Sequence, residues 1–296
     1  MRIDQLLVQI QLASTRSQAQ RLIADGVEWQ QGDTWKRVAK NGDDVPEDAP
    51  VRLLNDAEAR YVSRGGLKLE AALKRLGLDV TGFACLDVGQ STGGFTDCLL
   101  QHGAVSVVGV DVGSAQLHPQ LRTDPRVLCV EKVNARALVA DDLVAAYEDS
   151  VGADGMFDDD DGALDDEATS GGDEDAPATV AAHSKGFVPA FDLVVADLSF
   201  ISQTLVLPAV VPLLRAGGTL LTLVKPQFEL QPGQVGKGGI VKDASMYLLV
   251  EQRLRDACAD LGLTVTAWFD SPIAGGDGNH EFFICAHKPG ETANSE

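Results

Sequence analysis

Five short apolar runs set the frame of this chain: Ala84 to Val88, Val105 to Val110, Val127 to Val130, Leu193 to Ala196 and Thr219 to Val224. They are short for helices and too evenly apolar for strands with one wet face, so each reads as a strand covered on both sides. Between and after them lie helical patterns, such as the stripe Leu69, Ala72, Leu73 and Leu76 that Gly77 closes, and the stretch from about Tyr247 to Leu261. This alternation predicts an α/β domain on a mostly parallel, Rossmann-like sheet, completed by strands at Thr264 to Phe269 and Phe282 to Ala286.

The first run passes directly into Asp87-Val88-Gly89-Gln90-Ser91-Thr92-Gly93-Gly94-Phe95, a glycine-rich turn between strand and helix. Glycines let a ligand approach the main chain, and the helix start offers free N–H donors. A nicotinamide dinucleotide is disfavoured, because its fingerprint is G-x-G-x-x-G and the glycines here fall at 89, 93 and 94. Asp111 closes the second strand 24 residues after Asp87, where a carboxylate can accept hydrogen bonds from both hydroxyls of a ribose. Together these residues point to S-adenosylmethionine. The candidate cofactor contacts are Asp87, Gly89, Ser91, Thr92, Gly93, Gly94, Phe95, Asp111, Asn134 after the third strand, and Asp197.

Residues 1–58 form a different unit. Ile3, Leu6, Leu7 and Ile10 have helical spacing; Ser14 and Thr15 supply N-cap oxygens for a second helix, which Gly26 is placed to end in a left-handed cap. A strand at Val27-Glu28-Trp29, a Gly32-Asp33 turn and apolar positions at Val38, Val45, Val51 and Leu53 predict a small sheet after the helices.

Net charge is −20, which taken whole argues against a nucleic-acid partner. Its distribution removes that objection. Residues 141–185 hold 15 acidic residues against one lysine, leaving −6 for the rest of the chain. This segment has the composition of a disordered acidic insertion, with too little apolar surface to offset its ordering entropy. Residues 59–66 read as a basic linker between the domains, because residues 60–75 carry Arg60, Arg64, Lys68, Lys74 and Arg75 against Glu70 alone.

Four charged residues fall at the ends of predicted elements. Lys68 follows Arg64-Gly65-Gly66-Leu67 and lies off the leucine stripe; Asp197 and Lys225 close two strands; Glu281 precedes Phe282. Sites in parallel sheets form at the carboxyl ends of strands, so Asp197 and Lys225 belong beside the glycine turn, with Lys68 and Glu281 completing a balanced set of two cations and two anions.

Tyr61-Val62-Ser63-Arg64-Gly65-Gly66-Leu67-Lys68-Leu69, Ser91-Thr92-Gly93-Gly94-Phe95-Thr96-Asp97, Asp197-Leu198-Ser199-Phe200-Ile201-Ser202, Lys225-Pro226-Gln227-Phe228-Glu229, Ser271-Pro272-Ile273 and Gly278-Asn279-His280-Glu281-Phe282 together resemble the TlyA family. Ser14 through Ile23 with Gly26-Val27 resembles the small RNA-binding domain of the ribosomal protein S-four type. The resemblance covers nearly all of the chain outside the acidic insertion. It implies an α+β RNA-binding domain at 1–58, an FtsJ-like methyltransferase domain at 67–290 and a flexible tail at 291–296. It also implies S-adenosylmethionine-dependent methylation of cytidine 2′-hydroxyls in ribosomal RNA of the small subunit, the large subunit or both. The family's catalytic tetrad maps onto Lys68, Asp197, Lys225 and Glu281, and the cations placed to meet RNA are Arg2, Arg16, Arg21, Arg37, Arg60 and Arg64. Two features depart from the family's usual pattern: Gln90 stands where alanine is commoner, and the insertion is long.

The expected partners are ribosomal RNA or ribosomal subunits rather than DNA, because only RNA carries the 2′-hydroxyl. The cysteines at 85, 98, 129, 258 and 285 are scattered with no Cys-x-x-Cys pair, so neither a disulfide framework nor a metal is expected. No run is long and apolar enough for a membrane helix, and no secretion signal opens the chain, which places the protein in the cytoplasm. The competing readings are an RNA-binding ribosome assembly factor without catalysis, a nicotinamide-dependent oxidoreductase and a haemolysin. The oligomeric state is open.

Overall fold

The computed structural model describes residues 1–54, 59–154, 187–273 and 278–290. Its N-terminal unit opens with α1 (Ile3–Gln9), which buries Ile3, Leu6 and Leu7 completely. Thr15 caps α2 (Arg16–Gly26), accepting a hydrogen bond from the Gln18 N–H at 3.2 Å. Gly26 ends this helix at φ +131°, outside the left-handed helical region expected of it, and the chain passes directly into β1 (Val27–Gln31). Only glycine takes that conformation freely. β1 pairs antiparallel with β2 (Thr34–Arg37) and β3 (Val51–Leu53), in the order β2-β1-β3, with Gly32 and Asp33 turning the hairpin. Val38 and Val45 are buried as predicted but lie outside the strands, filling this unit's core beside Trp29.

The second domain begins with α3 (Arg64–Leu76), ended by Gly77 in the left-handed conformation at φ +61°. The expected linker at 59–66 is therefore shorter, because residues 64–66 already belong to the helix. Packing explains the earlier start: a Cβ on Gly66 would lie 2.4 Å from the Tyr61 ring, so that glycine lets the approaching chain fold back on the first turn.

Seven strands follow: β4 (Ala84–Val88), β5 (Ser106–Asp111), β6 (Val127–Glu131), β7 (Phe191–Asp197), β8 (Leu214–Val224), β9 (Thr264–Asp270) and β10 (Phe282–His287). Their order is β6-β5-β4-β7-β8-β10-β9, parallel from β6 to β8 and antiparallel where β10 joins β8 and β9. The helices are α4 (Gly94–Gln101), α5 (Pro119–Arg122), α6 (Ala140–Asp154), α7 (Leu207–Val210), α8 (Pro226–Glu229) and α9 (Ser245–Asp260). Alternate strand residues enter opposite cores. Leu86, Val88, Val108 and Val194 pack with Leu143, Leu207 and Leu254; Cys85, Val107, Leu193 and Val195 pack with Leu69, Leu73 and Leu99. The strand order reverses between β4 and β7, and the crevice outside their carboxyl ends is where an open α/β sheet binds ligands.

Helix α6 corrects the start of the acidic insertion, which the composition placed at 141. Leu143 is fully buried and Ala146 and Tyr147 pack on the same core, while Asp141 and Asp142 occupy the first helical turn, where their charge suits the helix dipole. The remainder of that segment from 155, and the tail at 291–296, lie outside the described residues.

Candidate active site

The cofactor side of the crevice is held open by the main chain between β4 and α4. Gly89, at φ +84°, donates its N–H to the Val110 carbonyl at 2.8 Å, and a Cβ on it would stand 2.8 Å from the Asp197 carbonyl oxygen. The turn can therefore approach β7 only as glycine. Asp111 accepts from the Ser91 N–H through Oδ2 and from the Gly113 N–H through Oδ1, each at 2.7 Å. A carboxylate offers about four acceptor positions, so roughly two remain for ribose hydroxyls.

Two cavities meet here. The larger, about 550 Å³, is lined by Gly89, Ser91, Asp111, Asn134 and Asp197 among the expected cofactor contacts. The smaller, about 160 Å³, is lined by Thr92, Gly94, Phe95, Ser63 and Lys225, and shares Gly89, Ser91, Asp197 and Ser199 with the first. Glycine-permitted access to the main chain, a ribose-suited carboxylate and an adjoining polar cavity fit S-adenosylmethionine.

Two expected contacts line neither cavity. Gly93, at φ +92°, is pressed against Leu121, which a Cβ would approach to 2.4 Å. Asp87 is 1% exposed beneath the turn, its Oδ2 accepting from the Thr96 hydroxyl at 2.7 Å, and Thr96 in turn accepts from the Gln90 amide at 3.0 Å. Asp87 Oδ1 has no hydrogen-bond partner among the described residues. Burial, aided by the nearby negative Asp197 and Asp111, pushes the Asp87 carboxyl up to about 7 against the pull of the Thr96 bonds. Asp87 supports the turn from below.

Strand register assembles the charged set. Asp197 lies opposite Leu223 on the neighbouring parallel strand, and Lys225 follows two residues later with its Nζ 2.5 Å from Asp197 Oδ1 and 2.9 Å from the Ser199 hydroxyl. Phe282 pairs with Val224, so Glu281 enters from the adjoining end of β10. Its Oε2 lies 2.5 Å from Lys68 Nζ, and both side chains are buried. Burial raises the Glu281 carboxyl, opposed by Lys68 and also by Lys225. All four residues thus converge as two ion pairs, with Lys225–Asp197 on the cavity wall and Lys68–Glu281 outside both linings. Asn279, 1% exposed, anchors the approach to Glu281 by accepting from the Val241 N–H and donating to the Gly239 carbonyl, both at 3.0 Å.

Several lining residues were not singled out as site candidates from sequence. Gln116 accepts from the Ser91 hydroxyl at 3.2 Å, and Leu198, Ser199 and Phe200 form the wall after β7. Phe200 is 90% exposed at φ +65° and stands against Phe228 with ring centroids 5.0 Å apart. The motif after Asp197 contained these residues without revealing which way they face.

The candidate RNA-binding arginines fall in separate places. Arg2 and Arg16 share the fully buried Asp4, each with a nitrogen 2.9 Å from its Oδ2, and those bonds, that from Arg2 foremost, hold its carboxyl well below the usual range. Arg37 is exposed on β2 and Arg21 half-buried on α2. Arg60 pairs with Glu70 at 2.6 Å, and Arg64 is half-buried at the start of α3. The linker is pinned to the second domain, since Val62 donates to Asp97 at 2.8 Å and Gln101 to the Arg60 carbonyl at 2.9 Å.

Comparison with known proteins agrees with this geometry. Residues 61–288 match the FtsJ-like methyltransferase family and residues 1–26 the S4 domain. The chain is 36% identical over 283 residues to the 16S/23S rRNA (cytidine-2′-O)-methyltransferase TlyA of Mycobacterium tuberculosis, covering 96% of this chain and 88% of that one. It is 33% identical over 285 residues to Hemolysin A of Brachyspira hyodysenteriae, covering 95% of this chain and 98% of that one. A solved structure from Streptococcus thermophilus superposes with a TM-score of 0.65 at 33% identity, covering 100% of this chain and 92% of that one. An S4 domain joined to an FtsJ-like domain, with this identity over nearly the full length, shows that the chain belongs to the TlyA family.

Proposed function

We propose that the protein transfers a methyl group from S-adenosylmethionine to the ribose 2′-hydroxyl of a cytidine in ribosomal RNA. The observation that carries this reading is the Lys225–Asp197 pair, 2.5 Å apart on the wall of the smaller cavity and beside the larger one. The cytidine and ribosomal specificity draws on the name of the mycobacterial relative.

The bound cofactor supplies a sulfonium-activated methyl group. Gly89, Ser91, Asp111 and Asn134, which line the larger cavity, would hold its nucleoside, and the turn from Gln90 to Phe95, which borders the smaller one, would offer main-chain contacts to the rest of it. A ribose hydroxyl is a weak nucleophile until its proton is removed or shared. The Lys225 ammonium has three N–H donors; it donates one to the Ser199 hydroxyl and pairs ionically with Asp197 Oδ1, which leaves donors for the 2′-oxygen. Bonded there, Lys225 orients the oxygen, and as the oxygen attacks the methyl carbon the hydroxyl proton passes to the Asp197 carboxylate, the proton acceptor of the pair while Lys225 is an ammonium. Lys68 and Glu281 set the field behind that pair. Positioning of this kind supplies several kcal/mol of barrier lowering. The exposed ring of Phe200 at the cavity rim offers an unstacked base an apolar face.

Residues 1–58 dock structured RNA through Arg2, Arg16, Arg21 and Arg37, with Arg60 and Arg64 extending the cationic track toward the methyltransferase domain. Such a substrate places the work in the cytoplasm. No helix among the described residues is long and apolar enough to cross a membrane.

The test is radiolabelled methyl transfer to ribosomal subunits from a strain lacking this gene, with primer extension to locate the product. A mapped 2′-O-methyl that disappears with Lys225→Ala supports the proposal. Cofactor binding without transfer to either subunit sinks it in favour of a noncatalytic assembly factor, and erythrocyte lysis by the purified protein would favour the haemolysin reading.

A further inference from the structure

The loops that deliver Asp197 and Lys225 are joined by a carboxylate that lines neither cavity. Glu229, the last residue of α8, is 2% exposed. Its Oε2 accepts from the Ser202 hydroxyl at 2.5 Å and its Oε1 from the Gln203 N–H at 2.8 Å. Ser202 and Gln203 end the loop that begins at Asp197, whereas Glu229 closes the helix that begins just after Lys225. Gln203, 3% exposed, extends the tie to β8 by donating to the Leu223 carbonyl at 2.7 Å and accepting from the Thr222 hydroxyl at 2.6 Å. From α9, Arg253 donates to the Glu229 main-chain carbonyl and fixes the end of α8.

The chemistry of these partners is specific. Both carboxylate oxygens face donors; burial raises the Glu229 carboxyl, opposed by the bonds from Gln203 and Ser202 and by the charge of Arg253. The Ser202 hydroxyl also meets the Thr204 hydroxyl at 2.8 Å, so it can turn to donate there and accept from an amide at position 229. A buried carboxylate is costly to retain merely as filler, because an apolar side chain of similar volume packs without desolvating a charge. What this carboxylate gains is a fixed distance between two loops.

We propose that Glu229 is a positioning residue for methyl transfer, tying the loop after Asp197 to the helix after Lys225 and so fixing how that pair meets the 2′-hydroxyl. This rests on the assignment of Lys225 and Asp197 to the chemistry. Glu229 touches neither cofactor nor RNA. Its removal lets the two loops separate, and in-line transfer is sensitive to displacements of about 1 Å.

The test uses the full chain, with S-adenosylmethionine affinity from calorimetry, RNA affinity from filter binding, and methyl transfer measured at saturation on unmethylated ribosomal subunits. Glu229→Ala is expected to lower kcat about 30- to 100-fold, with KM for the cofactor and Kd for RNA within about threefold of wild type. Glu229→Gln, which keeps an acceptor for the Gln203 N–H, is expected to recover most of the rate. Ser202→Ala removes one of the two donors and leaves the main-chain tie, so it gives a milder loss in kcat if Glu229→Ala does not fold. A wild-type kcat in Glu229→Ala, or losses of cofactor affinity that match the loss of rate, would overturn the proposal. So would a folded Glu229→Gln as impaired as Glu229→Ala. Retained activity in Lys225→Ala would instead overturn the assignment beneath it, and thus separates the two failures.

Discussion

The side chain of Gln90 occupies the space above Gly109: a Cβ at position 109 would lie 1.9 Å from both Cδ and Nε2 of Gln90. Gln90 is 4% exposed and donates to Thr96, which donates to Asp87, so the amide has nowhere to go without breaking the network beneath the cofactor turn.

Gly109→Ala should therefore destabilise the protein by about 1–3 kcal/mol, the usual cost of overpacking a closed core, and weaken cofactor binding. Adding Gln90→Ala should restore much of both. Thermal melts and calorimetry on the two single variants and the double variant measure the coupling; additive losses would show that the residues do not share this space.

Lys225→Ala should reduce single-turnover methyl transfer by roughly 10²- to 10⁴-fold, the range typical of disrupting general acid–base catalysis. Cofactor affinity should stay within a few-fold, because the contacts proposed for the ribose are Asp111 and the main chain rather than Lys225. Activity retained in this variant removes Lys225 from the chemistry.

Asp87 makes stability depend on pH. Its carboxyl titrates near 7 in the folded chain and near 3.8 when unfolded, so between those values the folded state holds the extra proton. Stability from this group is fully present below pH 3.8, declines as pH rises toward 7 and is flat above it. Asp87→Asn mimics the protonated acid, and should raise stability at pH 8 by an amount on the order of a few kcal/mol while changing little at pH 4. Denaturant melts at the two pH values check it; an equal effect at both would contradict the assignment.

Arg2 and Arg16 leave guanidinium N–H groups free of Asp4 and are about half exposed, 46% and 55%. Each arginine that meets a phosphate should contribute about one unit to the slope of log affinity against log salt. Arg16→Ala and Arg2→Ala should each flatten that slope for ribosomal subunits by about this amount. An unchanged slope would assign the residue a purely structural role.

The strands were legible in the sequence because apolar runs and their polar ends are local properties. Asp197 and Lys225 could be placed on the site from strand position alone. Lys68 could not: its spacing set it off the leucine stripe, yet it is 7% exposed and paired with Glu281, 213 residues away in the chain. The same holds for Gly66, whose fit against Tyr61 moves the helix start into the expected linker, and for Glu229, whose partners belong to another loop. Helix α6 was hidden for a different reason. Its acidic residues dominate composition, while Leu143, Ala146 and Tyr147 mark the side that packs on the core.

The central ladder between β4 and β7 joins a stretch of chain before residue 154 to one after residue 187. Lys68, the glycine turn and Asp111 belong to the first stretch; Asp197, Lys225 and Glu281 belong to the second. The proposed reaction centre is thus the seam between two halves of one polypeptide, and neither half holds the full set of proposed groups. A chain cut once between them would recover methyl transfer only by reassociating along that ladder, so restored turnover would report directly on the two pieces closing in register.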